Sequence, residues 1–170
     1  MPPQSPSSFI EHRTRALATV ALTRSQQVQL LEFQNSPDQD GIDYFLQVFP
    51  EGQKHVPILR GIGVAIKGTA KPLDTREQAT SFVQKEWWGA GLTPPPKFSF
   101  PVILLVFSMK NDKGYYAWFV KPDVEHGRIG LVQHDRVECH ELNKDSLDEL
   151  VSDANKWYAI LEDKIFATQP

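Results

Sequence analysis

The chain has 170 residues, 41% of them hydrophobic, with 18 Lys and Arg against 21 Asp and Glu and a formal net charge of −3. That length suits one domain able to bury a real core. The mildly acidic balance argues against strong unaided DNA binding, where a basic face neutralising phosphates supplies most of the affinity. It leaves room for a local basic patch, or for a partner that supplies the grip on DNA.

No apolar run approaches the roughly 18 residues of a membrane span. The opening MPPQSPSS lacks the basic and apolar regions of a signal peptide. A single cysteine, Cys139, excludes an internal disulfide framework and a Cys-rich zinc site. The expectation is a cytoplasmic protein with no membrane association.

Residues 1–7 are rich in Pro and Ser and are expected to be disordered, leaving one domain over 8–170. Ser8 with Glu11 three residues later is a capping-box pattern. Ile10, Leu17, Val20 and Ala21 recur at helical spacing, so a helix is predicted over about residues 9–23. Gln27–Gln34 is strand-like, and the turn-rich NSPDQDG that follows carries Asp38 and Asp40. Ile42–Phe49 and Leu59–Thr69 are predicted strands, joined as a hairpin by PEGQKHVP.

Asp74 is the expected cap of a short helix reaching Trp87, with Ala79, Phe82 and Val83 on its inner side. The Pro-rich Gly89–Lys97 segment can be neither helix nor central strand. Phe100–Met109 is nearly all apolar and reads as a central strand buried on both faces. A turn at Asn111–Gly114 leads into Tyr115–Val120, its hairpin partner. Ile129–Gln133 and Arg136–Leu142 are weaker extended segments. Asn143 or Asp145 caps a last helix to about Lys164, with an apolar stripe from Leu147 to Leu161. Helix, strands, helix, strands, helix is the order of an α/β domain with a mixed central sheet flanked by helices.

Three residues carry the chemistry. Asp43 opens one strand of the first hairpin and Lys67 closes the other, and an acid beside a lysine is the core of a metal-dependent phosphodiesterase site. Glu11 could add a second carboxylate from the first helix. Each has a plainer reading: Asp43 as a loop-shaping acid, Lys67 as a solvated strand-end charge, Glu11 as the capping-box partner. A carboxylate or amide two residues before the lysine would complete the pattern, and that position is Ala65. The five histidines show no paired metal spacing, Cys139 reads as a buried inert thiol, and no phosphate loop or nucleophile elbow is present. Trp87 and Trp88 could stack on bases, but read more simply as a core anchor and a lid.

A helix bearing Glu11, a run ending G-I-D at Asp43, a strand GVAIKGT holding Lys67 and the later FPVILLVFSM…YYAWFV hairpin together resemble the PD-(D/E)XK nuclease-like superfamily. Within it, the pattern is similar to a bacterial domain family of unknown function, over roughly residues 8–122. The resemblance implies a restriction-endonuclease-like fold, with Glu11 and Asp43 as acids holding Mg²⁺ and Lys67 as the site lysine. It also implies Mg²⁺-dependent hydrolysis of DNA phosphodiesters, in a bacterial defence or mobile-element setting. Ala65 departs from the family pattern, with Gln47 or Glu32 as candidate replacements. The alternative it leaves is a catalytically silent subunit that binds a partner protein or assembles with itself.

Overall fold

The computed structural model describes residues 6–32, 41–53, 55–56, 58–88, 98–125, 129–133 and 136–167. Asp38, Asp40, the Pro-rich 89–97 segment, His126 and His134 lie outside the described residues, as do the side chains of Glu32, Trp87 and Trp88.

The first helix, α1 (Pro6–Leu22), begins ahead of the expected Ser8 cap. Proline's fixed φ and missing N–H suit a first helical turn, so the chain is already helical when it reaches Ser8. Glu11 is therefore one turn inside the helix rather than at its N3 position. Pro6 and Ser7, expected to be disordered, belong to the helix.

Strands β1 (Val28–Glu32), β2 (Tyr44–Val48) and β3 (Gly61–Thr69) form an antiparallel meander, with Leu30 opposite Leu46 and Leu46 opposite Ile62. Helix α2 (Arg76–Val83) is capped by Thr75, one residue after the expected Asp74, in a reciprocal capping box with Gln78. It runs on into a π-helical turn, Gln84–Trp88. Because α2 is a crossover, β4 (Val102–Ser108) pairs parallel to β3, placing Lys67 opposite Val106.

Strand β5 (Gly114–Asp123) returns antiparallel to β4 and carries both β6 (Gly130–Gln133) and the two-residue β7 (His140–Glu141) on its far side. The sheet is mixed, with the order β1-β2-β3-β4-β5-β6 and β7 beside β5. The final helix, α3 (Lys144–Ala167), is capped by Asn143, whose side chain accepts from the Ser146 N–H at 2.9 Å.

Alternation along the strands builds two core layers. On one face Tyr44, Leu46, Val64, Ile103 and Leu105 pack under Ala18 and Leu22 of α1 and Leu150 and Val151 of α3. On the other, Ala65, Leu104, Val106 and Ala117 pack under Ala79 and Val83 of α2. Helix α3 is pinned at the start of β3 by Arg60, which donates to both Glu162 oxygens at 2.8 and 2.6 Å and to Asn155 at 3.0 Å. Tyr158 adds a hydrogen bond to the Gly61 carbonyl at 2.8 Å.

All seven residues of β4 are buried, as the apolar run predicts. Its amides should be the slowest in the protein to exchange with solvent. Leu105→Ala should cost about 2–5 kcal/mol in chemical denaturation, the range for a buried leucine truncated in a packed core.

Candidate functional site

Strand β3 is longer than the strand beside it. The last β2 pairing is Tyr44 with Val64, while β3 runs on to Thr69 against β4. Beyond Val64 the edge of β3 is a notch, and the predicted residues meet there.

Gly41, with φ +75, a backbone conformation that L side chains rarely adopt, turns the chain into Ile42 and Asp43. Asp43 stands just before β2 rather than one residue inside it, as the sequence suggests. Its N–H donates to the Val64 carbonyl at 2.8 Å, and its Oδ2 accepts the Ile66 N–H at 2.8 Å. The carboxylate thus supplies the acceptor that β2 no longer reaches. This is a structural reason for an acid at this position.

Helix α1 closes one side of the notch. It approaches β3 so closely at Gly68 that a Cβ there would collide with the Thr14 hydroxyl. That contact sets Glu11 and Arg15, one helical turn apart, above Asp43. Arg15 Nη2 donates to Asp43 Oδ1 at 3.1 Å, and its Nε lies 3.4 Å from Glu11 Oε1. The guanidinium also sits 5.9 Å from the Tyr44 ring centroid. On the α2 side, Lys67 Nζ stands 3.8 Å from Glu86 Oε2.

Glu11, Arg15, Asp43 and Lys67 all line one cleft of about 510 Å³, together with Ser7, Ile10, Thr14, Ile66 and Gly68. The three residues singled out in the sequence therefore share a cleft. Two that were not bear on its charge: Arg15 lines it as well, and Glu86, outside the lining, faces Lys67. The i,i+4 spacing of Glu11 and Arg15 was a usable signal for the first. Nothing local in the sequence pairs Lys67 with Glu86.

The electrostatics follow from this packing. Burial pushes the Asp43 carboxyl above its usual range, only partly offset by the Ile66 N–H and by Arg15, while Glu11 pushes in the same direction as burial. For Arg15 burial acts downward, but Asp43, Tyr44 and Glu11 together hold its pKa above the ordinary value.

A divalent metal does not fit the residues as they stand. Mg²⁺ takes hard oxygens at about 2.0–2.1 Å in a near-octahedral shell. Here one Asp43 oxygen is engaged by Ile66 and the other by Arg15, which also faces Glu11. Ala65, only 6% exposed, is packed into the core beneath α2 and offers no oxygen. Gln47 pairs with Gly61 at the opposite end of β2, and Glu32 with Tyr44 through the backbone. Among the described residues no group of three or more His, Cys, Asp or Glu could hold a metal ion.

Elsewhere, burial pushes the Cys139 thiol up to about 11, so it remains a protonated core residue. No helix among the described residues is long and apolar enough to cross a membrane.

Compared with protein-family models, with curated proteins and with solved structures, the chain matches none.

The raised Asp43 carboxyl has a signed consequence. A group whose folded pKa lies above its unfolded value favours folding at low pH, and that contribution is lost as pH rises through the folded pKa. Thermal unfolding of the natural protein and Asp43→Asn, run from about pH 3 to about pH 7, should shift the difference in the variant's favour as pH rises. A shift the other way would mean that the ion pair with Arg15 outweighs burial.

Proposed function

We infer that the chain is a nuclease-like domain that works as a catalytically silent binding subunit, taking a partner protein in a bacterial defence or mobile-element setting. The observation carrying this reading is Arg15, whose guanidinium faces both acids that a nuclease site would present to a metal. Ala65 supports it, because the position where a third metal-directed oxygen is expected belongs to the core. The nuclease-like character is supported by the order of the parts. A helix bearing Glu11, a turn delivering Asp43, and a strand carrying Lys67 and Gly68 near its end surround one cleft where β3 outruns β2 in a mixed sheet.

Binding a protein is supported by the outer side of α1. Phe9 and Val20 are 53% and 59% exposed, and Ala16 between them is exposed too. At about 100° per residue these three fall on one side of the helix. Arg13 lies on the same side, paired with Asp112 at 2.7 Å, so the face offers two exposed apolar side chains around an ion pair, a mixed surface of the kind a partner protein would cover.

A second reading, Mg²⁺-dependent cleavage of DNA, is favoured by one observation: Glu11, Asp43 and Lys67 line the same cleft. It requires a metal to displace Arg15 from its carboxylate partners.

Supercoiled plasmid incubated with the natural protein and Mg²⁺ or Mn²⁺ should remain uncut. Metal-dependent nicking that disappears in both Asp43→Ala and Lys67→Ala would overturn the silent reading in favour of the enzyme.

A further inference from the structure

We propose that Arg15 is a resident counter-cation, standing between Glu11 and Asp43 where a divalent metal would stand, and that its charge makes this cleft indifferent to Mg²⁺ and Mn²⁺. This role goes beyond the silent-subunit reading, since a protein that bound no metal here yet cut DNA by other means would overturn that reading and leave this one standing.

Arg15 engages the two acids through different nitrogens, Nη2 toward Asp43 at 3.1 Å and Nε toward Glu11 at 3.4 Å. A guanidinium keeps its charge at every ordinary pH and directs its donors as a planar fork, so one side chain can serve two carboxylates at once. It is held in place from two directions. The i,i+4 spacing on α1 keeps Glu11 alongside, and the Tyr44 face lies 5.9 Å from the guanidinium carbon.

A divalent ion would compete for the same oxygens. To bind Asp43 it must displace Arg15 from Oδ1, or draw Oδ2 away from the Ile66 N–H and leave that donor at a strand edge without its acceptor. Lys67 also lines the cleft, but Glu86 stands 3.8 Å from its Nζ, so the repulsion of an incoming cation rests on Arg15. With the Arg15 charge gone, two carboxylates would face about 510 Å³ of open space, room for an ion that retains several of its waters. The side chain that decides whether this cleft is a metal site is therefore Arg15, as much as Ala65.

Mn²⁺ titration, with the free ion followed by electron paramagnetic resonance, tests this on the natural protein, Arg15→Gln and the double variant Arg15→Gln/Asp43→Asn. The natural protein should show no saturable site. Arg15→Gln should gain one, with affinity higher by about tenfold or more, the scale of removing one close repulsive charge. The double variant should lose it again. Saturable binding by the natural protein that Asp43→Asn abolishes would overturn the proposal. So would an Arg15→Gln protein with the natural circular dichroism spectrum and no gain. A measurement on the natural protein stands even if the variant does not fold. The Ile66 amide, bonded to Asp43, should keep its sharp NMR signal when Mn²⁺ is added, and selective paramagnetic broadening of that signal would overturn the proposal.

Discussion

The cleft exists because β3 outruns β2. A strand paired on both sides has its backbone groups answered by its neighbours, but from Ile66 to Thr69 β3 keeps only β4. A half-paired strand beside a core layer needs another source of acceptors and another cover. Asp43 supplies the acceptor for Ile66, and α1, resting on Gly68, supplies the cover. The same two answers bring a carboxylate and a helix bearing Glu11 and Arg15 into one place. The geometry of the candidate site is thus a by-product of closing a sheet edge.

That origin explains why both oxygens of Asp43 are engaged. A carboxylate drawn partly out of water is unfavourable unless its oxygens are met, and the upward push on the Asp43 carboxyl records that burial costs more than its partners return. Arg15 is the nearest remedy in the fold, and it also balances Glu11. Each oxygen of Asp43 then has a structural task, which is the opposite of the open, water-exchanging coordination that metal chemistry needs. Structure and chemistry compete for the same two atoms. In this chain structure holds them.

How much of this was legible in the sequence depended on whether the signal was local. The apolar run of β4, the two hairpins and the stripe from Leu147 to Tyr158 were readable because burial imposes a pattern within a few residues. Glu11, Asp43 and Lys67 were identifiable as chemistry-bearing residues at strand and helix ends. Cap positions were less readable. Pro6 began α1 ahead of Ser8, and Thr75 displaced Asp74, because adjacent residues could each serve and packing chose between them. Arg15 had no sequence signal beyond its spacing from Glu11, because its pairing with Asp43 spans 28 positions and depends on α1 settling over Gly68. The shortness of β2 was not legible either, since Ile42 and Phe49 extend its apolar pattern at both ends.

Two arginine–carboxylate contacts in this fold show how setting decides what such a pair can do. Arg60 and Glu162 meet through two short bonds, with side chains only 7% and 12% exposed and Asn155 completing the set. Breaking that pair by removing one partner would strand a buried charge, so it acts as a fixed pin between β3 and α3. Arg15 and Asp43 share one longer bond at the mouth of a cleft, with side chains 30% and 23% exposed. Water can replace that bond at far smaller cost. The first pair therefore sets the architecture, while the second contributes little to holding the fold together and instead keeps a positive charge beside Glu11 and Asp43.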